Sequence, residues 1–371
     1  DHFKLLVSTK ELKPFYFTQP GIRAPKTRDS MLLPNKTRII DDWTAKTISV
    51  TIVKPIKRVE MVHASTGYQD DFMGSHLAVQ LPQLATKWEN SPASVEGKAD
   101  NMLHYLNYSL LQNKERRLPF YTATNIQGKA FKKVKRKDLF GSYDKWVKDP
   151  RIPDSEQWGP ELYKSVKHSF DRGHMTKRED VQWGTSEEDA RLAAMATFYY
   201  TNSVPQRKEV NQDVWRDIED YILHDQTIAK DLKINVFTGP VLKEDDPLFI
   251  NQIGGEHPQI PTLFWKIVYF SKKDQKLYRV AFLAGQKHLL DENDLVARRE
   301  ATEEEELFAD FELSNTFQVN VGLIEKLTGL SFTPAIEPFQ DERPVGLTLE
   351  EIEVRDPDFE GRIVMIKGIQ L

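Results

Sequence analysis

Apolar positions along the chain recur with two different spacings, which predict two kinds of element. Four runs have the length and the β-branched and aromatic content of buried strands. They cover residues 118–124, 234–240, 263–270 and 277–283. The last two are separated by a turn at 272–275.

Helical spacing, with apolar residues three or four positions apart, marks two longer windows. The first is 186–199, where Ser186 is a suitable N-cap. The second is 211–223, where Asn211 is expected to open the helix. A shorter helix is predicted at 321–327, followed by Gly329, which suits a left-handed C-cap.

Both ends of the chain differ from this regular middle. Residues 1–66 are proline-rich with one strand-like run at 47–53, and we expect an accessory N-terminal segment of uncertain fold. Residues 67–337 form the expected main domain, and 338–371 form an acidic C-terminal extension. Within the main domain, the glutamate-rich stretch 291–310 is expected to be an exposed insertion or surface helix.

Composition excludes several classes of protein. Hydrophobic residues make up 39% and aromatic residues 11% of the chain, as in ordinary globular proteins. No apolar run reaches the ~18 residues of a membrane span, so no membrane partner is expected. The chain has no cysteine, which excludes disulfides and thiolate chemistry. It begins at Asp1 without methionine, so we expect a trimmed start, and the compartment stays open between cytoplasm and export.

The net charge of −5 hides an uneven distribution. Residues 1–150 contain 25 Lys and Arg against 15 Asp and Glu, a net +10, so the remaining residues carry −15. The segment FKKVKRKD at 131–138 has five positive charges in eight positions. It is either a solvated loop or a contact for the backbone of a nucleic acid.

The segment DRGH combines four residue types that can serve one reaction. His174 offers a proton acceptor, Arg172 a phosphate clamp, and Gly173 a backbone geometry forbidden to larger residues. A lone histidine is more often structural than catalytic, so these four residues alone are only moderately specific.

A second polar set follows in the sequence TNSVPQRKEVNQDVWRDIE. Asn211 and Glu219 are eight positions apart, which on a helix is an advance of ~800°, two turns plus ~80°. An amide oxygen near a carboxylate suits Mg²⁺, which keeps most of its waters. The alternative is an N-cap asparagine followed by a solvated glutamate.

Together the two stretches resemble the DNA/RNA non-specific endonuclease family. The resemblance extends over about residues 67–337, in the family's order. It includes GYQDDFMG (67–74), RRLPFYTAT (116–124), VFTGPVL (236–242), IPTLFWKIVYF (260–270) and FQVNVGLIEKLTGL (317–330). It implies an α+β fold in which a central antiparallel β-sheet is flanked by helices and a ββα-metal finger carries the active site.

The resemblance also implies a role for each motif residue. His174 matches the general base that takes a proton from water, and Asn211 matches the ligand of a single Mg²⁺, for which Mn²⁺ is expected to substitute. Glu219 matches the residue that holds the metal's water shell. Arg172 and Asn202 match residues that orient the phosphate or the site. Because the base must be neutral, we expect activity to fall below the ordinary imidazole pKa of ~6.5.

One part of the chain departs from the family pattern. Relatives place another phosphate-binding arginine where this chain has Asp144 and Lys145. Arg136, Lys145 or Arg151 could replace it, and the sequence does not choose among them. Asp171 is expected to support the fold around the motif.

The substrates implied by the resemblance are DNA and RNA, cut with little sequence preference to leave 5′-phosphate ends. Two alternatives remain. The chain is a catalytically silent relative that binds nucleic acid, or a nuclease effector held inactive by its terminal segments or by a regulatory partner. Relatives are often homodimers, but no stretch here identifies a dimer surface.

Overall fold

The computed structural model divides the chain into two compact units, Asp1–Glu60 and Met61–Leu371. The residues it describes are 3–7, 15–17, 50–53, 65–141, 143–164, 170–211, 214–297, 316–352, 363–367 and 369–370. The structure divides the chain after Glu60. The domain bounds expected from sequence, after residue 66 and after residue 337, stay predictions.

The first unit contains an antiparallel sheet of three strands in the order β2-β1-β3. These strands are β1 (Phe3–Val7), β2 (Phe15–Phe17) and β3 (Val50–Val53). The strand expected at 47–53 is therefore found over its last four residues, and its first three lie outside the described part of the chain.

The second unit is built on an antiparallel sheet of eight strands. In spatial order they are β15 (Val345–Gly346), β13 (Thr316–Val319), β12 (Leu277–Gly285), β11 (Leu263–Ser271), β10 (Lys233–Pro240), β7 (Leu118–Gln127), β6 (Tyr108–Asn113) and β5 (Met102–Tyr105). All four strands predicted from sequence lie in this sheet. They read as almost unbroken apolar runs because both faces are covered.

Helices cover the sheet, which confirms the α+β fold. They are α1 (Lys137–Phe140), α2 (Pro160–Tyr163), α3 (Glu187–Ala196), α4 (Lys208–Asn211), α5 (Val214–Asp220), α6 (Lys287–Glu292) and α7 (Val321–Thr328). Single 3₁₀ turns occur at Ser75–Leu77, Thr86–Trp88, Gly128–Ala130, Asp154–Glu156 and Tyr200–Asn202.

Local sequence signals account for the ends of two helices. Ser186 caps α3 in a capping box with Asp189, as predicted, and α3 ends at Ala196, three residues before the predicted end. Asn320 caps α7, and Gly329 follows it in the left-handed conformation with φ of 68°, which confirms that prediction.

The helix predicted at 211–223 is wrong in its bounds. Lys208–Asn211 (α4) is already helical, so the helix begins three residues before Asn211. The helix is described again over α5, residues 212 and 213 lie outside the described part of the chain, and a π-helix follows over Tyr221–Ile228. The early start of α4 has a tertiary cause: the backbone N–H of Arg207 donates to Gln286 Oε1 at 2.8 Å, which fixes the entry to the helix.

Four further short strands of the second unit form two separate pairs. They form the pairs β4 (Gln83–Leu84) with β14 (Leu330–Ser331) and β16 (Thr348–Ile352) with β17 (Ile363–Lys367). Of the stretch expected at 291–310, residues 298–310 lie outside the described residues. Across the described residues, no helix combines the length and the apolar character that crossing a membrane requires.

Candidate functional site

The DRGH segment forms one strand of a two-stranded antiparallel sheet that leads into a helix. β8 (Asp171–His174) pairs antiparallel with β9 (Ser203–Gln206), with Asp171 opposite Gln206 and His174 opposite Ser203. Helix α4 begins two residues after β9. This arrangement is the ββα finger expected from the sequence.

Gly173 is required for the close packing of strand β8 against the side chain of Gln206 on strand β9. A Cβ atom on Gly173 would lie 1.9 Å from Gln206 Oε1 and 2.4 Å from its Cδ. Gly173 is absent from the residues with positive φ, so its use is space and not an unusual backbone angle. The reason given from sequence for this glycine was therefore wrong.

The imidazole of His174 lies in an aromatic environment. Its ring centroid is 4.6 Å from that of Trp146 and 5.0 Å from that of Phe198. The residue as a whole is half-buried, and its Nε2 is buried and has no hydrogen-bond partner among the described residues. An unpaired ring nitrogen is free to accept a proton from a substrate or from water.

Burial, followed by the positive charge of Arg136, lowers the pKa of His174 to about 3. Arg178 and Arg172 lower it further, and Asp144 opposes them. The imidazole is therefore neutral throughout the range in which an ordinary histidine becomes charged. The expectation that protonation near pH ~6.5 would limit activity is corrected by this environment.

Arg136, Asp144 and Arg172 surround the histidine with charge. Arg136 Nε donates to Asp144 Oδ1 at 2.9 Å, and the two side chains form an ion pair. Burial alone would raise the pKa of Asp144, but the hydrogen bond and charge of Arg136 lower it, with smaller effects from His174 and Arg172. Arg172 is exposed and lies 5.7 Å from the Trp146 ring. The histidine thus faces cationic groups that suit an anionic ligand.

Asn202 is a buried clamp beneath the motif. Its Oδ1 accepts from the Thr176 backbone N–H at 2.8 Å, and its Nδ2 donates to the carbonyl oxygens of Thr176 and Thr197, both at 3.0 Å. The side chain is fully buried, so it orients the site through the backbone that follows His174.

Glu219 lies on α5 in contact with a buried lysine. Lys266 Nζ is 3.2 Å from Glu219 Oε1, and the two side chains are 2% and 11% exposed. The contact is ionic without hydrogen-bond alignment, because Glu219 Oε1 has no hydrogen-bond partner among the described residues. A buried carboxylate oxygen that can still accept hydrogen bonds fits a residue that holds the water shell of a hard cation.

The other residues named from sequence are placed as follows. Asn211 is at the end of α4, and its side chain lies outside the description. Asp171 is half-buried at the start of β8, and Lys145 is exposed. Arg151 is buried: its guanidinium donates to both carboxylate oxygens of Asp149, at 3.0 and 2.8 Å, and to the His104 carbonyl at 2.8 Å.

Sequence reasoning missed two residues of the site, Trp146 and Lys266. Trp146 gave no signal, since a single tryptophan in a loop is common. Lys266 gave one: it is the single charge within the apolar run 263–270, and a lysine is almost never buried without a partner. That rule could have indicated a buried carboxylate opposite the strand.

A group of three potential metal ligands lies beside Glu219. The ligand atoms of Glu179, Asp220 and His224 are within 4.8 Å of one another. Arg178 Nη2 is 2.6 Å from Glu179 Oε1, and Lys177 pairs with Asp220. Since both carboxylates are already neutralised by cationic side chains, we do not assign a metal to this group.

Known proteins are similar to this chain over most of the second unit. A protein y4fB of Sinorhizobium fredii is 35% identical over 236 residues, which cover 60% of this chain and 32% of that protein. The mitochondrial nuclease EXOG of Danio rerio is 26% identical over 250 residues, 64% of this chain and 62% of EXOG. A nuclease of Serratia marcescens is 25% identical over 194 residues, 51% of this chain and 61% of that nuclease.

The chain thus spans less than two thirds of the length of each of these relatives. Among solved structures, a complex of EndoG with EndoGI is similar with a TM-score of 0.45 and 20% identity, over 63% of this chain and 86% of the compared chain. The family model described as DNA/RNA non-specific endonuclease matches residues 90–339, about two thirds of the chain. The chain therefore belongs to the DNA/RNA non-specific endonuclease family.

Proposed function

We propose that the chain is a Mg²⁺-dependent endonuclease that hydrolyses phosphodiester bonds of DNA and RNA and leaves 5′-phosphate ends. The observation that carries the proposal is the neutral imidazole of His174, with Nε2 unpaired, beside Arg136 and Arg172. A neutral base next to cations that can bind phosphate is what this hydrolysis requires.

In the proposed reaction, His174 Nε2 accepts a proton from a water molecule whose oxygen attacks the phosphorus. The bond from phosphorus to the 3′-oxygen breaks, and the departing 3′-oxygen takes a proton from water, so the products carry a 5′-phosphate and a 3′-hydroxyl. His174 then returns its proton to solvent. Trp146 and Phe198 keep the imidazole desolvated and therefore neutral. Asn202 holds the backbone after His174, so the ring keeps its position during the reaction.

Asn211 and Glu219 are the residues that would hold the Mg²⁺, Asn211 directly and Glu219 through water. Oε1 of Glu219 accepts no hydrogen bond among the described residues, which supports this assignment because it can accept from a metal-bound water. When bound, the ion neutralises charge on the phosphate and stabilises the leaving oxygen. Mn²⁺ is expected to replace Mg²⁺ because both accept octahedral oxygen ligands.

We assign the phosphate contacts to Arg172 and Arg136. Arg172 is exposed beside His174, and Arg136 is half-exposed with its charge directed at Asp144. An incoming phosphate would compete with that carboxylate for the guanidinium. Arg151 is left out because its donors are already bound within the protein. Lys145, the homodimer and the regulatory partner stay predictions.

The test is cleavage of plasmid DNA and of RNA by the purified chain while Mg²⁺ is titrated. His174→Ala and Asn211→Ala are compared with His76→Ala, which removes an exposed histidine. We expect both substrates to be cut, cleavage to stop with a chelator, and only the first two variants to be inactive. A silent wild type that binds nucleic acid would leave the non-catalytic alternative. Cleavage that survives in His174→Ala would assign the base elsewhere.

A further inference from the structure

A lysine in the middle of a buried strand is the feature of this site that the proposed chemistry does not use. Lys266 is 2% exposed and lies between Trp265 and Ile267, which are fully buried. Placing an ammonium in such an environment costs several kcal/mol unless its charge is compensated. The compensation must come from groups that the sheet or its neighbouring helix brings to the Nζ atom.

Three contacts hold the ammonium in one position. Lys266 is directly opposite Thr238 in the β10–β11 register, and its Nζ donates to Thr238 Oγ1 at 2.8 Å. Its Nζ also lies 5.5 Å from the ring centroid of Trp215, on the helix that carries Glu219. The third contact is the ion pair with Glu219 Oε1 at 3.2 Å. One of these contacts comes from the neighbouring strand and two come from the helix, so Lys266 links the sheet to the helix that carries Glu219.

Glu219 also interacts electrostatically with a second ammonium. Lys177, three residues after His174, interacts electrostatically with Glu219, Asp180 and Asp220. Asp180 in turn interacts with both Lys266 and Lys177. The carboxylate of Glu219 therefore forms an ion pair with a lysine of the central sheet and interacts electrostatically with a lysine that follows the DRGH segment.

We infer that Lys266 is a positioning residue that fixes the Glu219 carboxylate so that it holds the water around the divalent ion. This inference rests on the function proposed above, in which Glu219 acts through water. The physical basis is that an ion pair without hydrogen-bond alignment restrains the carboxylate and still leaves Oε1 able to accept from water. Replacing both members of a buried ion pair by apolar side chains is often neutral or stabilising, so a role in positioning accounts for the pair better than fold stability does.

The experiment is a double-mutant cycle that combines Lys266→Met with Glu219→Gln. The dissociation constant for Mn²⁺ is measured by electron paramagnetic resonance without nucleic acid, and kcat is measured at saturating Mg²⁺. We expect Glu219→Gln to change the Mn²⁺ constant and kcat about 10- to 100-fold in the wild-type background. In the Lys266→Met background the same substitution has no further effect, because the carboxylate is no longer held in place.

Equal effects of Glu219→Gln in the two backgrounds would overturn the inference, since they would show that Glu219 acts without Lys266. Lys266→Gln, which keeps a donor for Thr238, repeats the cycle and decides the result if Lys266→Met does not fold. Lys233→Met is the matched control: this lysine of strand β10 contacts the Phe72 carbonyl and ring and no carboxylate of the site. If the wild type does not cleave nucleic acid, the proposed function is wrong. The double-mutant cycle measured by Mn²⁺ binding would still decide the role of Lys266.

Discussion

The ring of Trp146 against His174 predicts how the activity depends on pH. Desolvation is the largest of the effects that lower the pKa of His174 to about 3, and the Trp146 ring centroid lies 4.6 Å from that of the imidazole. Trp146→Ala would admit water to the imidazole and weaken this effect. The pKa of His174 should then rise toward the ordinary value of ~6.5.

The size of the effect follows from the two pKa values. At about pH 5, an imidazole with the ordinary pKa is neutral in roughly 3% of molecules, whereas one with a pKa of about 3 is neutral in roughly 99%. The wild type should therefore keep its full kcat/KM down to about pH 5. Trp146→Ala should lose up to ~30-fold between about pH 7.5 and 5, with the loss following a single protonation.

The assay is cleavage of a short labelled oligonucleotide at saturating Mg²⁺ with chemistry limiting. The value followed is kcat/KM, which reports the pKa of the free enzyme. Burial raises the pKa of Asp180 to about 7, so the profiles are repeated in an Asp180→Asn background to separate its titration. Trp88→Ala is the matched control, because Trp88 packs against Phe120. A wild type that already loses ~30-fold at about pH 5 would refute the reasoning, as would coincident profiles for wild type and Trp146→Ala.

The lowered pKa of His174 also makes the stability of the fold depend on pH. His174 binds a proton near pH ~6.5 in the unfolded chain and at about pH 3 in the folded chain. Lowering the pH between these values therefore reduces the free energy of unfolding. The contribution of His174 to the free energy of unfolding is complete above pH ~6.5 and is lost as the pH falls toward 3. His174→Ala should therefore reduce the dependence of the unfolding free energy on pH within that window, measured by urea denaturation.

Two further predictions concern the packing that supports the site. Gly173→Ala should destabilise the fold by ~1–3 kcal/mol through the clash with Gln206, and Gln206→Ala should relieve part of that loss. Urea unfolding of the wild type, the two single variants and the double variant measures the coupling. Additive effects would contradict the contact between the two residues. Arg116→Ala should cost ~3–5 kcal/mol, because the Asp246 side chain, 0% exposed and 2.6 Å from Arg116, loses its partner. Arg191→Ala, which breaks a more exposed pair, should cost ~0–1 kcal/mol, and equal losses would refute the role of burial.

Local patterns in the sequence were sufficient for the four longest strands of the sheet and for the ends of two helices. The runs at 118–124, 234–240 and 263–270 are largely apolar at successive positions, which is the pattern of a strand that is buried on both faces. All three are strands of the central sheet. The capping box at Ser186 and the glycine at Gly329 act within one helical turn, so a single sequence shows them.

Only the tertiary structure decided the electrostatics of the site. The pKa of His174 depends on Trp146 and Arg136, and the environment of Glu219 depends on Lys266; each pair is distant in sequence. Desolvation and ion pairing depend on which side chains meet in space, and no spacing along the chain encodes that distance. For the same reason the sequence could name three cations as candidates for the phosphate contact, while folding left Arg136 beside the imidazole and bound Arg151 inside the protein.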